Sequence, residues 1–90
     1  METKHYFYVL KTKDNTLYGG YTTDPIRRLA EHNAGVGAKY TRLEKRRPVE
    51  MIHLEEFGTR SEATKAEYAF KHLPSRKKKE EYMRMFQTLK

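Results

Sequence analysis

Residues 5–11 (His-Tyr-Phe-Tyr-Val-Leu-Lys) form an aromatic, β-branched run, and residues 16–21 form a second one. Both read as strands, joined into a hairpin by a turn at Asp14-Asn15. Gly19 and Gly20 lie inside the second strand, where glycine weakens the strand and marks a bulge or a close approach. Asp24-Pro25 opens a helix as N-cap and first helical residue, and Gly35 is its stop. Ile26, Leu29, Ala30 and Asn33 share one face of that helix. Residues 35–47 read as a long loop ended by Pro48, and residues 49–57 as a third strand. Thr59-Arg60-Ser61-Glu62 fits a capping box for a second helix to about residue 72, with Ala63, Ala66, Phe70 and Leu73 inward. Pro74 breaks it, and Ser75 caps a third helix with the stripe Tyr82, Met85, Phe86 and Leu89. The order predicts an α+β fold, a small three-stranded antiparallel sheet flanked by three helices.

Length and charge narrow this picture. Ninety residues without a repeat or linker make one domain, 1–90, with a thin core. Lys and Arg number 19 against 12 Asp and Glu, a formal charge of +7, which favours a phosphate polyanion as partner. The absence of Cys excludes a disulfide framework, a thiolate nucleophile and a zinc–thiolate site. No run approaches the roughly 20 apolar residues of a membrane span. The N-terminus shows no apolar stretch behind a basic one, so the expected location is cytoplasmic.

Some residues depart from a plain amphipathic pattern. With a three-residue turn, Tyr8 faces Gly20 and Tyr18 lies diagonally on the same face; with a two-residue turn the two tyrosines part. On strand chemistry alone, tyrosines packing a core are the simpler reading. Arg28 and His32 are neighbours one turn apart, off the apolar stripe, on what reads as a solvated polar face, and Arg27 with Glu31 reads as a surface pair. Glu67 falls at the edge of the Ala63, Ala66, Phe70 stripe. It can pair with Lys71 one turn on, or hold Mg²⁺, which needs few protein ligands. Arg76, Lys77, Lys78 and Lys79 oppose the dipole of the third helix, as a solvated run or as phosphate contacts.

Taken in order, these positions resemble the GIY-YIG nuclease superfamily. Tyr6-Phe7-Tyr8 stands where the family has Gly-Ile-Tyr, and Tyr18-Gly19-Gly20 where it has Tyr-Ile-Gly. The stretch from Asp24 to His32 is similar to the family's helix with its catalytic Arg, and Ala63 to Lys71 to its metal-binding helix, with Glu67 in the acidic position. The likeness covers nearly the whole chain and is strongest to small stand-alone bacterial members. Two departures stand out: Tyr6 and Phe7 replace Gly and Ile, and Gly19 replaces the second Ile.

The resemblance implies metal-assisted hydrolysis of a phosphodiester, with Tyr8, Tyr18, Arg28, His32 and Glu67 as catalytic residues. Tyr8 or Tyr18 would activate or orient water, with its phenol acidified by Arg28 or the metal. Arg28 would also bind non-bridging oxygens, and His32 would hold water or phosphate or relay a proton. Glu67 would hold one Mg²⁺ or Mn²⁺. Lys39, Arg42, Arg46, Arg47, Arg76, Lys77, Lys78 and Lys79 would track the nucleic-acid backbone without reading sequence, with DNA favoured over RNA. The rival expectation is a nucleic-acid-binding module without catalysis. A third, an interaction adaptor, would need the Tyr82, Met85, Phe86, Leu89 stripe undocked.

Overall fold

The computed structural model describes residues 3–88, with the side chains of 87 and 88 left aside. Three strands, β1 (His5–Lys11), β2 (Leu17–Thr22) and β3 (Glu50–Phe57), form one antiparallel sheet in the order β2-β1-β3. The helices are α1 (Pro25–Asn33), α2 (Lys39–Arg42), α3 (Arg60–Lys71) and α4 (Arg76–Thr88). A 3₁₀ turn, Glu44–Arg46, follows α2. The expected α+β sheet is present, but four helices stand beside it rather than three. The stretch that reads as a loop is partly wound, because Thr41 is pulled into the interior.

The hairpin turn settles the relation between the tyrosines. Thr12 N–H donates to the Thr16 carbonyl at 2.9 Å, and Asn15 takes a left-handed φ of 66°. The loop therefore holds three residues, 13–15, Asn15 tolerating the positive φ that most residues avoid. Tyr8 pairs with Gly20 and Leu10 with Tyr18, which puts both tyrosines on one face.

β1 is the central strand, and it is buried on both sides. Phe7 and Val9 pack with Phe70 and Met83 beneath α3 and α4. Tyr8 and Leu10 pack with Val49, Tyr18, Leu29 and Met51 on the other side. Its register to β3 shifts between Val9 and Leu10, with Ile52 as the extra residue.

Two helical stripes differ from the sequence pattern. On α1, Ile26 is 85% exposed while His32 is wholly buried. The inward face is the one with Arg28, Leu29 and His32, because the imidazole finds polar partners that compensate its burial. On α4, Met85 is 67% exposed and Met83 is buried, while Tyr82 and Phe86 turn inward as expected. Leu89 lies outside the described residues. α4 is thus docked on the sheet, which removes the feature the adaptor expectation required.

The ends of the helices follow their local chemistry. Asp24 accepts from Arg27 N–H, and Thr59 Oγ1 accepts from Glu62 N–H while its hydroxyl donates to Glu62 Oε1. α1 stops at Gly35, φ 81°, with Gly35 N–H donating to His32 O and Val36 N–H to Glu31 O. That pair of bonds is a Schellman motif, which a residue with a Cβ would strain.

Candidate active site

The α1 face and the adjoining sheet face build a hydrogen-bonded cluster around Tyr8. The Tyr8 hydroxyl is 2.8 Å from His32 Nε2, and Arg28 Nε donates to the same hydroxyl at 3.4 Å. His32 Nδ1 is 2.7 Å from Thr41 Oγ1, which in turn donates to the Ala38 carbonyl at 3.3 Å. A carbonyl only accepts, so the single Thr41 proton goes either to it or to the imidazole. With the proton directed to the carbonyl, Thr41 Oγ1 accepts from His32 Nδ1–H and Nε2 accepts from the Tyr8 O–H; the other tautomer leaves the Tyr8 O–H without an acceptor in this cluster, so the network favours the first. The chain runs Tyr8 to His32 to Thr41 to Ala38, every donor facing one acceptor.

Space for this cluster is made by glycines. A Cβ on Gly20 would fall on the Tyr8 ring, and one on Gly37 would meet the His32 backbone. Gly20 thus answers to a close approach across the hairpin. Gly19 faces the other way, against Phe70 and Phe7, so its replacement of the family's Ile suits a tight α3 contact.

Charge and burial oppose one another here. Burial pushes the Tyr8 phenol up to about 12, outweighing the Arg28 guanidinium, which acts to lower it. Tyr8 therefore keeps its proton at neutral pH. Burial, helped by the Arg28 charge, pushes His32 down to about 4, so the imidazole is neutral. Arg28 is itself held by Glu31, Nη1 to Oε1 at 3.1 Å, while Arg27 Nε stands 3.9 Å from Glu31 Oε2.

Tyr18 lines the same face. Its ring meets His32 edge-on at 5.5 Å and stacks on Tyr40 at 5.3 Å. The Lys71 ammonium stands 5.5 Å from its centroid. Lys71 in turn pairs with Glu67, Nζ to Oε2 at 2.8 Å. This links α3 to the cluster across the free edge of β2, and the Glu67 charge bears on the Tyr8 phenol. Glu67 Oε1 has no protein partner among the described residues. That oxygen, with water and a phosphate as further ligands, fits a hard cation such as Mg²⁺ or Mn²⁺. Among the described residues no group of three or more His, Asp or Glu gathers as a metal cage.

The basic residues fall into different places. Lys39 and Arg42 are exposed on α2, either side of the buried Thr41. Arg46 lies over the Tyr40 ring at 3.9 Å and binds Asp14 and the Tyr40 carbonyl. Arg47 donates to the Asn33 and Arg42 carbonyls, its Nε buried without a partner among the described residues. Arg76 ties α4 to the hairpin through Asn15, Lys78 pairs with Glu81, and Lys79 overlies Phe70. Lys77 is exposed. The 76–79 run thus sits with α4 on the sheet face opposite the Tyr8 hydroxyl. Thr41 and Tyr40 were missed by sequence reasoning, which took from the 35–47 loop only its basic residues Lys39, Arg42, Arg46 and Arg47.

Residues 4–81 match the GIY-YIG catalytic domain. A UPF0213 protein of Enterococcus faecalis is 68% identical over 96% of this chain and 99% of its own length. Among solved structures, the solution structure of an E. faecalis protein is similar at 66% identity and a TM-score of 0.66, covering 98% of this chain and 93% of that one. A UPF0213 protein from Bacillus halodurans is similar at 43% identity and a TM-score of 0.59, covering 91% and 84%. No helix among the described residues is long and apolar enough to cross a membrane. The cluster around Tyr8, Arg28 and His32 accordingly sits in a chain that belongs to the GIY-YIG family, alongside the small UPF0213 proteins.

Proposed function

We propose that this protein is a divalent-metal-dependent endonuclease that hydrolyses phosphodiester bonds of DNA with low sequence specificity, in the cytoplasm. The observation that carries the reading is the buried chain from Tyr8 through His32 to Thr41, with Arg28 on the same hydroxyl. A buried neutral imidazole facing a phenol beside a guanidinium is a strongly perturbed titratable pair, and a solvated polar face has no use for one.

The proton path follows from the hydrogen bonds. As water attacks phosphorus, it passes a proton to the Tyr8 oxygen while the Tyr8 proton moves to His32 Nε2. The bond from water oxygen to phosphorus forms, and the bond to the leaving sugar oxygen breaks with its electron pair on that oxygen, which takes a proton from solvent water while His32 returns its own to solvent. In the free protein His32 resists that proton; a phosphate beside it favours the imidazolium, so the relay is engaged by substrate. Arg28 binds the non-bridging oxygens as charge builds, released from Tyr8 by a small shift. Tyr18, edge-on to His32, positions the phosphate or the water. Glu67 would hold the single Mg²⁺ or Mn²⁺, which when bound offsets negative charge on the leaving oxygen. Of the basic residues named from the sequence, Lys39 and Arg42, exposed on α2 beside Thr41, bind backbone phosphates; Arg46, Arg47, Arg76, Lys78 and Lys79 hold their own elements, and with Lys77 the 76–79 run adds to the overall positive field from the opposite sheet face.

The test is nicking of supercoiled plasmid and cleavage of a labelled branched duplex in Mg²⁺, Mn²⁺ or EDTA, with Arg28→Ala and Glu67→Ala alongside. Metal-dependent cleavage lost in both variants supports the reading. Salt-sensitive binding without cleavage, indifferent to Glu67→Ala, gives the binding module instead.

A further inference from the structure

α3 carries an aromatic pair that the proposed reaction does not use. Tyr68 is 64% exposed, and its ring stacks on that of His72 with centroids 3.9 Å apart and planes 25° from parallel. The pair is fixed in place. His72 Nδ1 donates to the Tyr68 carbonyl at 2.9 Å, and His72 is also the C-cap, its backbone N–H turned to the Phe70 and Tyr68 carbonyls. The flat surface is thus held in water with little freedom left to lose on binding. No core residue among those described covers it.

Its place on the helix gives it a neighbour. Tyr68 and His72 each follow by one residue the Glu67–Lys71 pair, so they form the next strip of the helix surface, about 100° around. The Lys71 ammonium faces the Tyr18 ring, and Lys65 is exposed on the same helix. A rigid aromatic face with exposed Lys65 on its own helix, one strip around α3 from the Lys71 that reaches Tyr18, matches the chemistry of a planar base carried on a phosphate backbone. Inside a duplex both faces of every base are covered by neighbours. Only an unpaired base, at a flap, gap, branch or end, can present a face to Tyr68.

We infer that the Tyr68–His72 stack is a docking platform for an unpaired nucleobase flanking the phosphate to be cut, so that the substrate class is DNA with single-stranded character. This rests on the nuclease reading only for the position of the cut; the platform itself is a binding property.

The chain has no Trp, so Tyr68→Trp installs a single tryptophan at the stack, excited apart from the tyrosines at the red edge of its absorption. In EDTA, where metal-dependent cleavage cannot proceed, that variant is titrated with a short single strand, the same strand abasic throughout, and a blunt hairpin duplex. Quenching by the intact strand, and little by the abasic strand or the duplex at matched occupancy, is the expected result. Affinity for the single strand should fall roughly tenfold or more in Tyr68→Ala and hold in Tyr68→Phe. Equal quenching by the abasic strand, or a Tyr68→Ala variant that binds the single strand as the parent does, overturns the inference. Failure of plasmid nicking with quenching intact removes the nuclease and leaves the platform; nicking without base-dependent quenching does the reverse.

Discussion

Replacing Thr41 by Val tests the proton chain at its buried end. Thr41 is fully buried and Val is close to its shape, so the change removes a hydroxyl and little else. His32 Nδ1–H then loses its acceptor, and the cost of a buried unsatisfied donor is about 1–3 kcal/mol. The ring can escape by moving its proton to Nε2. That proton would face the Tyr8 hydroxyl, which already accepts from Arg28, and Tyr8 would lose the acceptor for its own proton. Urea unfolding of Thr41→Val should therefore lose about 2 kcal/mol, while Thr41→Ser, which keeps the hydroxyl, loses less than about 1 kcal/mol. Nitrogen-15 NMR of the His32 ring reads the tautomer directly: Nδ1 protonated in the parent and in Thr41→Ser, shifted toward Nε2 in Thr41→Val. Cleavage should drop at least about tenfold in Thr41→Val and return in Thr41→Ser, the loss expected for a general-base contribution of this kind. A parent protein with Nε2 protonated, or a Val variant equal to it in stability and tautomer, would refute the reasoning.

Three other outcomes are expected. His32 is held near 4 in the fold against 6.5 when unfolded, so the unfolded chain takes up the proton first as pH falls. Its contribution is present above pH 6.5 and lost between 6.5 and about 4, up to about 3 kcal/mol, read from urea midpoints against pH and blunted in His32→Gln. Gly20→Ala should destabilise by about 1–3 kcal/mol by driving a methyl into the Tyr8 ring, and the near-ultraviolet circular dichroism of the tyrosines should change with it. Tyr8→Phe should abolish cleavage while binding of DNA in EDTA stays within about twofold, since base contacts and phosphates outside the cluster carry affinity; a Tyr8→Phe enzyme that still cuts would move the proton path to Tyr18.

The sheet, the ends of α1 and the two long helices α3 and α4 were readable because their signals are local. Alternating aromatic and β-branched runs, Asp24-Pro25, Gly35 and the Thr59 cap each act within a few residues. The α1 stripe was misread for the same reason. Hydrophobicity placed Ile26 inside, but burial there is decided by partners distant in sequence, Tyr8 and Thr41, that satisfy His32. The hairpin register was open between two turns until Asn15 was seen to take a positive φ. α2 escaped notice since four residues carry no periodicity, and Thr41 since a lone threonine in a basic stretch looks solvated. Glu67 and Lys71 were legible as a helical pair; the reach of Lys71 to Tyr18 across the edge of β2 depends on how α3 sits on the sheet.

The double burial of β1 sets how the site opens. Its amides should exchange with solvent only through global unfolding, because the strand is paired on both edges and packed on both faces. Tyr8 therefore belongs to the last cooperative unit to come apart. The 35–47 segment that supplies Thr41 has one short helix and a 3₁₀ turn and should open in smaller excursions. Each such opening would strip His32 of its tautomer lock while leaving Tyr8 in place, so the fraction of molecules competent to pass a proton is governed by the stability of that segment and only weakly by that of the whole domain.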